Sequence, residues 1–235
     1  MSVHRFEQSN PASAAEACAR QMASVLEQAL AGRDTAALAV SGGRSPAPML
    51  RALASFPLDF SRLHVFLVDE RCVPANDEQS NGRMLEEAFV GPAHAPRRNL
   101  HRVHTELPPG RAADHYAEEI RRFFQLDAER MPVFDLIHLG MGADGHIASL
   151  FPGDSLVEDR DRIADAVHAE HLSQWRVTLL PGVLLAAHHT VVFAPGADKA
   201  AITRRVFEDD FDPVTLPAQI PAHLGRGVAW FSSGD

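Results

Sequence analysis

Four short clusters carry most of the chemistry this chain can offer. The segment 140–153 reads GMGADGHIASLFPG and sets Asp144 and His146 among four glycines in fourteen residues. A glycine-framed loop can present an imidazole as a general base, because histidine changes protonation near neutral pH. The competing reading is a satisfied structural histidine, since the chain has 13 of them. His104 and His115, for example, have no such frame and read as bland. A second cluster, Ser41-Gly42-Gly43-Arg44-Ser45-Pro46, allows close backbone approach and places Pro46 in the first turn of a helix. Free N–H groups at such a terminus favour phosphate, and Arg44 could add a bidentate contact. A plain strand-to-helix turn capped by Ser45 is the alternative. The third cluster, Asp69-Glu70-Arg71, follows an apolar run. It is either a solvated strand end or a place where Arg71 meets an anion or a developing oxyanion. Asn81 and Arg83 downstream fit a helix surface better than the same pocket.

The fourth cluster is Gly196-Ala197-Asp198-Lys199. Lys199 is the sole lysine among 22 basic residues, the rest being arginine. A cation in the first turn of a helix opposes the helix dipole, so an anion beside it is expected. Several chemistries are missing. There is no H-E-x-x-H or paired-cysteine metal pattern, no G-x-S-x-G nucleophile elbow and no P-loop. No metal and no cofactor are therefore expected.

The elements that position these clusters follow one grammar: a short apolar run, a polar loop, then a helical stretch. Ala36 to Val40 leads into Ser41 and a helix from Pro46 to about Ala54. Leu63 to Val68 leads into Asp69 and a helix from Ser80 to Phe89. Phe134 to Leu139 leads into Gly140. Thr190 to Ala194 leads into Pro195 and a helix from Lys199 to about Phe207. Ser13 is the expected cap of an opening helix from Ala14 to Leu30. Further expectations are a short strand at Asn99 to Val103, a surface helix at Arg111 to Leu126 and a last strand at Val228 to Phe231. Asp154 to His171 fits no element clearly. Continuous apolar runs suit strands buried on both faces, and their alternation with helices predicts an α/β fold: a Rossmann-like, mostly parallel sheet with helices on both faces. In such sheets ligands sit beyond the carboxyl ends of the strands, where all four clusters fall.

The chain has 235 residues, 46% hydrophobic and 23% charged, which suits one folded domain spanning residues 1–235. Its formal net charge of −9 argues against nucleic acid as a partner. No apolar run is long enough for a membrane span. The opening MSVHRFEQSN lacks the apolar core of a secretory signal, so the cytoplasm is the expected location. Cys18 and Cys72 suggest no disulfide framework. No obligate protein partner is evident.

Taken in order, S-G-G-x-x-P, D-E-R, G-M-G-x-D-G-H-x-A-S-L-F-P-G, and R-V-T-L followed by G-x-x-K resemble the 6-phosphogluconolactonase family. The resemblance runs from about residue 6 to 231. It implies a Rossmann-like sheet, a sugar 6-phosphate substrate and hydrolysis of 6-phospho-D-glucono-1,5-lactone in the oxidative pentose phosphate pathway. His146 would act as general base and Arg71 would stabilise the oxyanion. Asp69 or Asp144 would orient His146 or bind sugar hydroxyls. The phosphate would sit on Ser41, Gly42, Gly43, Arg44 and Ser45, with Lys199 and Arg176. The same superfamily includes glucosamine-6-phosphate deaminases, whose motif resembles D-G-H-I-A-F-N-E-P-G. Phe151 occupies the position of their ring-opening glutamate and cannot transfer protons. A deaminase or isomerase is thus the runner-up, and a non-catalytic sugar-phosphate sensor the alternative from another class. Arg44-Ser45 stands where Ser-Thr is frequent, and Trp230-Phe231 matches the family only loosely.

Overall fold

The structure, a computed structural model, describes residues 3–43, 45–127 and 130–234. Its main sheet has seven strands, all parallel to their neighbours. In chain order they are β1 (His4–Gln8), β2 (Ala36–Val40), β3 (Leu63–Leu67), β5 (Leu100–His101), β6 (Leu136–Gly140), β9 (His189–Ala194) and β10 (Val228–Ser233). Their spatial order is β1-β10-β9-β6-β2-β3-β5. A second, antiparallel sheet pairs β4 (Asp69–Arg71) and β7 (Ala164–Ala169) on either side of β8 (Gln174–Leu179). β2 buries all five of its residues, as expected for a strand covered on both faces. The α/β expectation therefore holds. No helix among the described residues is long and apolar enough to cross a membrane.

The helices are α1 (Pro11–Gly32), α2 (Pro46–Ala54), α3 (Asn81–Leu85), α4 (Pro109–Phe123), α5 (Pro181–Ala186) and α6 (Ala200–Glu208). α1 packs across β9 and β10 and against α2. α4 is anchored by Tyr116, fully buried, whose hydroxyl donates to the Leu67 carbonyl at 2.7 Å and accepts from the Leu67 N–H at 2.8 Å. That double contact clamps the end of β3, where the chain turns toward the site.

Several expectations need correction. Asn10, not Ser13, caps α1: its side chain accepts from the Ser13 N–H at 2.9 Å, and Pro11 fills the first helical position. Ser45 is itself helical and makes no capping bond. Asp69-Glu70-Arg71 is not a loop but strand β4. The Val68 N–H bonds the Val40 carbonyl in one sheet, while the Val68 carbonyl accepts from the Leu179 N–H in the other, so the chain passes directly between sheets. Ser80 to Phe89 divides into α3 and a π-helical turn at Glu86–Val90. β1 has no fully buried residue, so periodicity could not reveal it. The unplaced stretch 154–171 supplies a short 3₁₀ turn and β7. The helix expected at 111–126 begins two residues earlier and buries Ala112, Ala113, Tyr116 and Ile120.

Candidate active site

Strand order reverses between β2 and β6: the chain runs from β2 outward through β3 to β5, then returns to the other side of β2. A crevice forms beyond the carboxyl ends of strands at such a switch point. A cleft with a cavity volume of about 140 Å³ lies there, lined by Ser41 after β2, Gly140 in β6 and Ala194 at the end of β9. The small sheet supplies one wall through Asp69, Arg71 and Arg176, and Lys199 reaches in from the start of α6.

His146 sits in a tightly closed loop. The Gly142 N–H donates to the His146 carbonyl at 2.8 Å, and the Gly145 N–H to the Gly142 carbonyl at 3.1 Å. Gly145 has φ +85°, a left-handed conformation that favours glycine. His146 Nδ1 lies 2.6 Å from Asp144 Oδ1, and the same oxygen accepts from the His146 N–H at 3.2 Å. Burial alone would raise the Asp144 pKa. The hydrogen bonds and charge of His146 outweigh it and hold the carboxyl down to about 2. Gly142 leaves no alternative at its position: a Cβ there would stand 2.2 Å from His146 Nδ1 and 2.4 Å from Asp144 Oδ1. The Phe151 ring packs beside the imidazole, centroids 4.9 Å apart. Of the two carboxylates considered as orienting groups, Asp144 is the one in contact with His146. Asp69 instead accepts from Ser149 Oγ at 2.7 Å and faces Arg176 at 3.8 Å.

The wall formed by β4 and β8 pairs Arg71 with Arg176 across the antiparallel ladder. Arg176 is only 7% exposed, and its guanidinium stands over Phe151 at 5.8 Å. Burial lowers the Arg176 pKa; Asp69 acts against this, and Arg71 adds to it. Arg71 donates to the Gln79 carbonyl at 2.7 Å. Glu70, which sequence reasoning left unassigned, points away from the cleft as a buried cap. It accepts from the backbone N–H groups of Arg71, Asn81 and Gly82 at 2.7–2.8 Å and from Ser80 Oγ at 3.1 Å. Burial pushes its carboxyl pKa up against those bonds. Asn81 is 1% exposed and not on a helix surface as expected; its amide donates to the Asp69 carbonyl at 2.8 Å. Arg83 does lie at the surface, paired with Glu87.

On the opposite side, Gly42 allows Asn81 to pack against the loop after β2, since a Cβ would meet Asn81 Cγ at 2.0 Å. Gly43 has φ +104°. Ser41, Gly42, Gly43 and Ser45 all line the cleft; Arg44 lies outside the described residues. Lys199 closes a 3₁₀ turn just before α6 rather than sitting within the helix. Asp198, 3.4 Å away, is an anion beside it. His138, on β6, also lines the cleft and was missed, because its apolar run reads as pure core. Burial pushes its imidazole down to about 3, so it is neutral. Ser41 Oγ, Arg71 Nε, Arg176 Nε and both His138 ring nitrogens are buried without a hydrogen-bond partner. Buried orphans of this kind are rare in folded proteins, and their concentration around one cleft marks it as a place for polar ligand groups. Arg71, Arg176 and Lys199 bring three cations to this cleft in a chain of net charge −9, with Asp69 beside Arg176 and Asp198 beside Lys199.

Comparison with known proteins places the chain in a family. The family described as glucosamine-6-phosphate isomerases/6-phosphogluconolactonase matches residues 9–230. The 6-phosphogluconolactonase of Treponema pallidum is 36% identical over 224 residues, covering 93% of this chain and 89% of that protein. The rat (Rattus norvegicus) 6-phosphogluconolactonase is 33% identical over 237 residues, covering 98% of this chain and 90% of its own. The crystal structure of the Thermotoga maritima 6-phosphogluconolactonase matches with a TM-score of 0.85 and 28% identity over the full length of both chains. With a family match from Ser9, just before the cap of α1, to Trp230, this chain belongs to the glucosamine-6-phosphate isomerase/6-phosphogluconolactonase family.

Proposed function

We propose that this protein is a lactone hydrolase that opens 6-phospho-D-glucono-1,5-lactone to 6-phospho-D-gluconate, a step of the oxidative pentose phosphate pathway carried out in the cytoplasm. The observation that carries this assignment is the Asp144–His146 contact of 2.6 Å inside a cleft that also holds Arg71, Arg176 and Lys199. With Nδ1 engaged by Asp144, Nε2 is left to accept a proton from water. The water oxygen then bonds to the lactone carbonyl carbon, and the carbonyl oxygen takes up negative charge. Arg71 stabilises that oxyanion. Collapse breaks the bond between the carbonyl carbon and the ring oxygen, which receives the proton from the His146 imidazolium. The product carboxylic acid ionises and releases one proton. No covalent nucleophile is needed, because a lactone is already an activated ester.

The 6-phosphate is assigned to the Ser41–Ser45 loop, Lys199 and Arg176. Phe151, an apolar ring where a deaminase needs a carboxylate, supports hydrolysis over deamination. The direct test is proton release from freshly generated lactone at constant pH, corrected for spontaneous opening. Enzyme-dependent release is the expected result. A rate equal to the spontaneous one would leave only a sugar-phosphate sensor. Ammonia release from glucosamine 6-phosphate would instead favour a deaminase, and none is expected.

A further inference from the structure

Beside the edge strand β5, four histidines and two glutamates form a connected group that the lactonase assignment does not use. His64 Nδ1 lies 3.0 Å from His101 Nε2, and His101 Nδ1 lies 2.7 Å from Glu119 Oε1. His104 Nδ1 lies 2.9 Å from Glu106 Oε1. The His104 and His115 rings stand with centroids 4.6 Å apart. One ligand atom from each of His104, His115 and Glu119 falls within 4.8 Å of the other two. His115 and Glu119 are four residues apart on α4, so they share one helix face. His104 approaches from the loop after β5. None of the three lines the cleft that holds His146.

We propose that His104, His115 and Glu119 bind a divalent transition-metal ion, zinc being the best fit, with Glu106 and His101 as positioning residues. Two imidazoles and one carboxylate form a borderline donor set that suits zinc better than calcium or magnesium, which prefer all-oxygen sites. The surrounding contacts have the form that metal sites use. A carboxylate on one ring nitrogen of a ligating histidine fixes its tautomer and leaves the other nitrogen to coordinate. Glu106 stands in that relation to His104. His101 holds one oxygen of Glu119 and leaves the second available. Ligands on tetrahedral zinc stand about 3.4 Å apart, so binding would draw the three together from their present separations of up to 4.8 Å. The ion would tie the loop after β5 to α4 and fasten the exposed edge of the main sheet, so its effect falls on stability rather than turnover.

The test uses full-length protein stripped with EDTA and titrated with zinc sulfate against a chromophoric zinc indicator. One zinc ion per chain is expected. His115→Ala, an exposed change that leaves the core untouched, should remove stoichiometric binding. Glu106→Gln should weaken it by about 10–100-fold. His146→Ala should leave it unchanged, which separates this site from the Asp144–His146 pair. Zinc at about a hundredfold excess over Kd should raise Tm by roughly 5–10 °C in wild type and not in His115→Ala. Absence of binding, binding unchanged by His115→Ala, or binding lost in His146→Ala would each overturn the proposal. Affinity is read without turnover, so a negative result here leaves the lactonase assignment untouched.

Discussion

At the scale of single residues, the proposed chemistry rests on one imidazole and one ammonium. His146 is held from one side by Asp144 and packed against Phe151, and the proposed mechanism uses its second nitrogen as the base. His146→Ala should lower kcat by about 10²–10⁴-fold, the usual share of a general base, with the fold intact by circular dichroism. A near wild-type kcat would remove His146 from the mechanism. Lys199 poses a different question. The chain otherwise uses arginine for its cations, yet keeps a lysine at the mouth of the cleft. An ammonium is a compact point charge that reaches a phosphate where a planar guanidinium does not fit. Lys199→Ala should raise KM for the phosphorylated lactone by roughly 10-fold or more, the value of about 1.5–3 kcal/mol for a charged hydrogen bond. Lys199→Arg should restore only part of it, and hydrolysis of unphosphorylated gluconolactone should be equal in all three proteins. Identical kinetics on both lactones would show that Asp198 alone accounts for the charge of Lys199.

At the scale of elements, the site depends on turns that admit no side chain. Gly142 lies against both members of the His146–Asp144 pair, and a methyl on its Cα would stand 2.2 Å from His146 Nδ1 and 2.4 Å from Asp144 Oδ1. Gly142→Ala should therefore displace the pair and lower kcat by about 10²-fold or more, as misplacing a catalytic group by about 1 Å does. Its KM should move much less, because the phosphate loop after β2 is a separate element. A KM effect without a kcat effect would mean that the loop after β6 binds rather than catalyses. Glu70 shows the same dependence from the structural side. Its carboxylate gathers three backbone N–H groups and so joins β4 to the start of α3, which carries Asn81 against the loop after β2.

At the scale of the whole molecule, a buried neutral histidine in the lining of the cleft makes stability depend on pH. In the unfolded chain His138 takes up a proton below about pH 6.5. In the folded chain burial holds it neutral down to about 3. Between those limits the unfolded state binds more protons, so stability falls as pH falls, by about 1.4 kcal/mol per unit. Urea unfolding at about pH 7 and about pH 4.5 should show a loss roughly 2–3 kcal/mol larger in wild type than in His138→Leu. An equal loss in both proteins would show that the folded structure accommodates a charged His138.

The sequence by itself determined the alternation of apolar runs and helices, and with it the α/β class, because a strand buried on both faces must be continuously apolar. It also marked the loops at 41–46 and 140–153, since glycines at such density are needed only where a backbone is tightly constrained. The D-G-H spacing already put Asp144 within reach of His146. Tertiary structure alone decided the rest. Asp69-Glu70-Arg71 looks like a solvated end until β8, more than a hundred residues later, pairs with it and buries two of its charges. Asn81 looks like a helix surface until the missing side chain of Gly42 makes room for it. His138 looks like core, and His104 and His115 look bland, because neighbours contributed by other elements leave no local signal in the chain. Hydrophobic periodicity reports which face a residue turns inward; it carries no information about which polar groups from distant segments meet it there.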